Sequence, residues 1–265
     1  METRRIRRVA CLLLIALCPA LPQSSAAAAV DLPLDVAFYE AGFLYSQGAG
    51  IDRDVVDELA RRGGYRFTYV ERPRARIWKD LARGSLAMTV SGMETAERRQ
   101  FAYFIPYIAQ KNMALVINPR IRDAQQLLQM QDAQLAVVRG FRHGPTYDPI
   151  VAQLMRSGRV TEVATAHNLF LMLQAGNRVD VIFSQQLFYE KELAELALQS
   201  RVTVRDWALD EAPQPLCLVL SKAHFSEQDY RRMAGIVAEM RADGSLRRIV
   251  ARYVSGPTLD NALSY

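Results

Sequence analysis

The chain has 265 residues, half of them hydrophobic, with 33 basic and 28 acidic side chains and a net charge of +5. That is enough apolar material for one large or two small domains with a core that needs no staples. The excess of positive charge is concentrated at the N-terminus, so it argues only weakly for nucleic acid or an anionic membrane as partner.

Arg4, Arg5, Arg7 and Arg8 precede an apolar run at 11–17, then Pro19 and Pro22, then the small-residue stretch 24–29. This is the layout of a cleaved export signal over 1–29, with a mature periplasmic protein behind it. The apolar run is far shorter than the ~20 residues that span a bilayer, and an uncleaved amphipathic anchor is the alternative. Neither Cys11 nor Cys18 lies in a lipid-attachment motif, since Leu17 is too large before Cys18 and Cys11 comes ahead of the apolar core. Cleavage leaves about 236 residues with 29 basic and 27 acidic side chains, a net +2, and Cys217 as the one cysteine. No intrachain disulfide can then form. Cys217 sits in the apolar run 216–220, where a buried structural thiol is expected.

Short apolar runs and helical patterns then alternate. Strands are expected at 34–38, 65–70 and 86–90, separated by two helices. The first helix is opened by Asp52, carries Val55, Val56, Leu59 and Ala60 on one face, and stops at Gly63 and Gly64. The second runs through Ile77, Trp78 and Leu81 and ends near Gly84. The order restarts with strands at 113–117, 135–138, 160–164 and 179–183. The helices between them start at Asp123, at Asp148 with Pro149, and near His167. A helix at 185–198, extended segments at 202–204 and 216–220, and a long helix opened by Ser226 with Asp229 complete the chain, with a break at Gly244 and Ser245. Two βαβαβ runs predict an α/β protein of two lobes with mostly parallel sheets. With no linker between the lobes, 113–117 and 216–220 are the expected hinge strands.

The segment from Ser91 to Tyr107 carries the chemistry. A strand ends at Ser91 and Gly92, Thr95 with Glu97 and Arg98 offers a helix start beside a fixed cation, and Phe101, Tyr103, Phe104 and Tyr107 follow. A strand end, a helix N-terminus and an arginine together suit a small carboxylate.

This sequence resembles the bacterial extracellular solute-binding proteins of family 3, the polar-amino-acid type of type II periplasmic binding protein. The carrying segments are GIDRDVVDELARRGGYRFTYV (50–70), RIWKDLARGSLAMTVSGMETAERRQFAYFIPY (76–107), LAVVRG (135–140), LQAGNRVDVIF (173–183) and MRADGSLRRIVARYV (240–254). The resemblance implies two Rossmann-like lobes joined by two hinge strands and closing on a ligand, lobe 1 being 30–118 plus 221–265 and lobe 2 being 119–220. It further implies that Arg98, in the T-x-E-R pattern, clamps a ligand carboxylate with Ser91 and Glu94 beside it. There are two departures. Glu94 stands where the family has Thr, with the segment one residue shorter. Counting five positions on from Val179, Ser184 stands where amino-acid binders carry the Asp that receives the ligand ammonium. Either Glu94 takes over the amine or the ligand has no α-amino group.

Each candidate has a plain alternative. Arg98 is a clamp or a solvated arginine beside Arg99, and Glu94 a ligand contact or a residue favoured by a helix dipole. Tyr39, Phe43 and Tyr45, after the first strand, stack on the solute or cover the sheet edge. Arg76 sits where the family sometimes contacts ligand, and Trp78 reads as packing its helix. Arg139, Gly140 and Phe141 follow a strand, and a glycine there lets backbone N–H groups approach an anion. His143 reads as structural or solvent-facing. No metal-ligand spacing, P-loop or nucleophile elbow is present, and no cofactor is expected.

The expected function is capture of a small carboxylate-bearing solute (an amino acid or related organic acid) for an inner-membrane ABC permease, by a protein acting as a monomer without nucleic acid. The alternatives are a cyclohexadienyl-type dehydratase on the same fold, with Glu94 as its acid or base, and a ligand sensor for a membrane signalling protein.

Overall fold

The computed structural model describes residues 34–176 and 179–265. The expected export signal, 1–29, and the first residues of the expected first lobe lie outside them. Two five-stranded sheets form the frame. The first begins with β1 (Leu34–Phe38), α1 (Ile51–Gly63), β2 (Phe67–Glu71), α2 (Arg74–Ala82) and β3 (Met88–Gly92). A three-residue 3-10 turn (Arg98–Gln100) leads to β4 (Ala102–Gln110). The chain crosses at Lys111 into the second sheet: β5 (Asn112–Val116), α3 (Ala124–Gln129), β6 (Leu135–Val138), α4 (Tyr147–Arg156), β7 (Val160–Val163), α5 (Ala166–Ala175), β8 (Val181–Gln185), α6 (Gln186–Glu195) and β9 (Thr203–Arg205). It returns to the first with β10 (Gln214–Ser221) and closes with α7 (Glu227–Ala242), α8 (Ser245–Val250) and α9 (Gly256–Ala262).

The strand orders are β2-β1-β3-β10-β4 and β7-β6-β8-β5-β9. In each, three parallel strands are extended through two antiparallel ladders, so that only the fourth strand, β10 or β5, runs against the rest. By sheet membership the crossings fall at Lys111 and at 206–213, ahead of the boundaries at 118 and 220 read from the sequence. Lys111 and Asp206, one from each crossing, form an ion pair at 2.6 Å.

Local chemistry explains the elements. The inward face of α1 is Ile51, Val55, Val56 and Leu59, and Gly64 ends it in the left-handed conformation. Ser226 and Asp229 form the capping box of α7, and Asp123 caps α3. In β6 the residues alternate: Leu135 and Val137 join the core of Leu127, Tyr147 and Phe183, while Ala136 and Val138 join that of Leu169 and Phe170. Cys217 is buried, and burial pushes its thiol up to about 12.

Several local expectations are corrected. Asp52 does not cap α1; Gly50 does, and the Asp52 side chain turns inward. Asp148 lies one residue inside α4, its carboxylate accepting from the His143 N–H instead of a helical one. The helix expected at Thr95–Arg98 is only the 3-10 turn, because the chain must reach β4 within a few residues. The segment that carries Arg98 therefore opens no α-helix. The aromatic segment after it is β4, whose ladder with β10 runs from Gln214–Gln110 to Ser221–Ala102. The final α9 was not anticipated.

Candidate functional site

The parallel strands of both sheets end towards one region, as open α/β sheets place their ligand sites. From the first sheet come Tyr39 after β1, Pro73 and Arg74 opening α2 after β2, and Ser91 with Gly92 at the end of β3. From the second come Gly140 and Phe141 after β6, and Thr165 capping α5 after β7. Two cavities lie between them, of about 210 Å³ and about 570 Å³. Tyr39 and Arg74 line the smaller, Trp78 and Arg98 the larger, and Val138 and Phe141 border both.

Two arginines dominate the first-sheet wall. Arg98 is 7% exposed, and its guanidinium lies 3.5 Å above the Trp78 ring. It donates to Met93 O at 2.8 Å and, across the cleft, to Gly140 O at 3.4 Å. Arg74 is 3% exposed, with its guanidinium 4.5 Å from the Tyr39 centroid and 4.8 Å from that of Phe141. It donates to Ser91 O at 3.3 Å, while its Nε has no partner. Neither forms an ion pair with an acid among the described residues. Burial, then the like charges of Arg74 and Arg142, pulls Arg98 down to about 9. A cation held this way is prepared for an incoming anion.

Beneath them lies a buried network. Ser91 has φ 49°, a left-handed conformation that non-glycine residues rarely adopt. It places the carbonyl of Ser91 within reach of Arg74 and the Tyr39 hydroxyl. Its Oγ donates to Asp52 at 2.8 Å, its N–H donates to Tyr107 Oη at 3.0 Å, and Tyr107 donates to Asp52. Burial raises the Asp52 carboxyl to about 7, against the lowering pull of its Tyr107 and Ser91 hydrogen bonds and the Arg74 charge. Gly92 completes the wall: a Cβ there would meet Val219 Cγ2 at 2.2 Å and Trp78 at 3.2 Å. Only glycine lets β10 and the indole approach so closely.

The second-sheet wall is different. Asn112 Nδ2 donates to His143 O at 2.8 Å, leaving Asn112 Oδ1 without a partner. His143 Nδ1 lies 3.6 Å from Asp148 Oδ1, beyond hydrogen-bond reach. Gln185, paired with Asn112 in the sheet register, is fully buried with both amide atoms unsatisfied. The indole N–H of Trp78 is a further orphan. Buried polar atoms are normally paired. Here those of Trp78, Arg74, His143, Asn112 and Gln185 form a continuous chain of neighbours, linked through Phe141.

The expected site residues divide accordingly. Arg98, Tyr39, Arg139, Gly140 and Phe141 line one or both cavities, although Arg139 is exposed and faces Glu162 at 3.8 Å. Ser91 lies behind that wall, its side chain held by Asp52 and Tyr107. Glu94 is elsewhere: it pairs with Arg99 at 3.3 Å in a surface hollow with Tyr103 and Lys222. Arg76 is exposed and held by Asp80 at 2.8 Å, one helical turn on. Phe43 and Ser184 line neither cavity; the Phe43 N–H donates to Leu187 O at 2.9 Å, docking its loop on α6, and Ser184 is buried within β8. Sequence reasoning missed Arg74 and read Trp78 only as packing, and the unsatisfied Asn112 and Gln185 line neither cavity. One signal for Arg74 existed: Asp80, at i+4 from Arg76, claims Arg76 and leaves the arginine between 72 and 76 free to turn inward.

No curated protein matches the sequence. Among solved structures, the GluR0 ligand-binding core from Nostoc punctiforme in complex with L-glutamate is similar, with a TM-score of 0.70 and 16% identity, covering 84% of this chain and 100% of that one. The arginine-, lysine-, histidine-binding protein ArtJ from Geobacillus stearothermophilus gives 0.69 and 17%, covering 86% and 98%. A histidine kinase sensor domain with similarity to periplasmic binding proteins gives 0.70 and 13%, covering 88% and 98%. At these identities the likeness concerns the fold, which is that of the type II periplasmic binding proteins. The family model of the bacterial extracellular solute-binding proteins, family 3, matches residues 35–256. With that span matched and both sheets in place, the chain belongs to the bacterial extracellular solute-binding proteins of family 3.

Proposed function

We propose that the protein is a periplasmic receptor that captures a small carboxylate-bearing solute between two hinged lobes and delivers it to an inner-membrane ABC transporter. The two lobes are the two sheets with their helices, and the hinge is the pair of crossings clipped by Lys111 and Asp206. The observation that carries this reading is Arg98. It is a buried cation with no acid partner among the described residues, stacked on Trp78 and bonded across the cleft to Gly140 O. A carboxylate bound there replaces lost solvation with charge-assisted hydrogen bonds, each contributing about 1.5–3 kcal/mol. Because the contact spans both sheets, such a ligand favours the closed arrangement over an open one, which is population shift by differential contact.

The dehydratase reading loses its nominated group, since Glu94 lies outside both cavities. The sensor reading keeps one supporting observation, the likeness to a histidine kinase sensor domain. Co-purification with a permease or with a membrane kinase separates the two.

A thermal-shift screen of amino acids, keto acids and aromatic acids tests the receptor reading. A carboxylate is expected to raise the melting temperature of the wild-type protein. Arg98→Ala should weaken that ligand at least ten-fold while leaving the unliganded melting temperature nearly unchanged. Unaltered affinity in the variant would show that the anchor lies elsewhere.

A further inference from the structure

Among the described residues, the buried part of the cleft presents two cations with no acid partner, while Lys79, Arg139 and Arg142 line the larger cavity from exposed positions. Arg74 and Arg98 are almost fully buried, and both guanidiniums lie over the one indole of Trp78, 5.7 and 3.5 Å from its centroid. The acids that line the cavities have partners of their own or lie in solvent. Glu40 accepts from the Gln47 N–H, Glu71 from the Tyr45 hydroxyl and Asp148 from the His143 N–H. Glu162 faces Arg139, and Glu97 is exposed. Asp52 is shut behind Ser91 and Tyr107, with both hydroxyls on its carboxylate. On the second-sheet side the buried groups are uncharged: Asn112 and Gln185 are amides, and burial lowers the His143 pKa so that its ring carries no charge at neutral pH.

We propose that the ligand of this cleft is a dicarboxylate without an ammonium group, one carboxylate meeting Arg74 and the other Arg98. This rests on the carboxylate-receptor reading above and narrows it. The reason is charge balance in a water-poor space: a buried charge is tolerated when paired and costly when not. A zwitterionic amino acid brings one negative and one positive charge, so its carboxylate would match one buried arginine and leave the other, together with the new ammonium, without a buried carboxylate to receive it. A dianion leaves none. The cations line separate cavities that share Phe141, Arg74 the smaller and Arg98 the larger. Two carboxylates, one in each cavity, match that division better than the single charged centre of a phosphate. The orphan N–H groups of Arg74 and Trp78 are donors for carboxylate oxygens.

Three compounds that differ by one group each test it by titration calorimetry on the mature wild-type protein: glutarate, L-glutamate (which adds the ammonium) and butyrate (which lacks the second carboxylate). Malonate, succinate and adipate cover other lengths, and inorganic phosphate covers the compact dianion. At least one dicarboxylate is expected to bind ten-fold or more tighter than L-glutamate, butyrate and phosphate. Arg74→Gln and Arg98→Gln should each reduce that affinity at least ten-fold and erase the preference for dicarboxylate over butyrate. The proposal is overturned if L-glutamate or butyrate equals or surpasses every dicarboxylate, if phosphate alone binds, or if no dicarboxylate binds. In the first case, with binding still dependent on Arg98, the carboxylate-receptor reading survives. If no carboxylate of the wider screen binds at all, both fall.

Discussion

The two walls of the cleft are built on different principles. The first-sheet wall is charged and over-determined: Ser91 is strained, glycine is required at 92, and Asp52, Tyr107 and Tyr39 brace one another behind Arg74 and Arg98. The second-sheet side is under-determined, with buried amide and imidazole atoms left without partners behind the exposed Arg139 and Arg142. The contrast teaches where each wall's free energy goes. One orders cations before any ligand arrives, which is preorganisation. The other holds polar atoms whose desolvation is offset only when something fills the gap. It follows that crowding behind the first wall should register as lost stability, and removal of the unsatisfied atoms behind the second as stability gained.

The largest expected effect concerns the charge state behind the first wall. The Asp52 carboxyl is raised from 3.8 to about 7 by burial, so the folded protein holds a proton there that the unfolded chain releases near pH 4. This contribution to stability is full below about pH 4 and is lost as pH rises through about 7. Thermal melts of wild type and Asp52→Asn from pH 4 to 8 should therefore diverge in favour of the variant as pH rises, by at most about 4 kcal/mol, and run parallel above. Constant separation would mean that Asp52 keeps its ordinary proton affinity.

Next in size is Gly92→Val. The added side chain collides with Val219 and Trp78, and overpacking of about 3 kcal/mol lowers the melting temperature by roughly 6–12 °C. A melting temperature within 2 °C or so of wild type would show that the first wall yields more than its packing implies. The smallest effect has the opposite sign. Gln185→Leu removes two unsatisfied polar atoms from a fully buried position, so the unliganded protein should melt higher, by about 1–2 kcal/mol of stability. A lower melting temperature would make the glutamine a structural support, and the two walls would not differ as described.

Much of the frame was legible in the chain. The 3.6-residue period of Val55, Val56 and Leu59, the stop at Gly64, and the Ser226–Asp229 cap are local signals, and local structure answered them. Where local signals competed with long-range pairing they misled. Thr95 to Arg98 has a helix-start pattern, but the ladder between β4 and β10 takes the chain away after a single turn. At the end of β8 the strand runs two residues further than its apolar run, so Ser184 falls inside the strand and Gln185 at its end.

The sequence by itself determined the class of the protein: the alternation of apolar runs and amphipathic helices, the glycine and proline stops, and an arginine following a strand end. Beyond the i+4 spacing of Arg76 and Asp80, it did not separate the members of a set whose local chemistry is the same. Arg72, Arg74 and Arg76 are alike in sequence, yet Asp80 pairs with the first and third while the second is enclosed by Tyr39, Trp78 and Phe141 from three different segments. Charge pairing and burial depend on which distant residues arrive beside a side chain, so only the tertiary structure decided which cations were left without an anion.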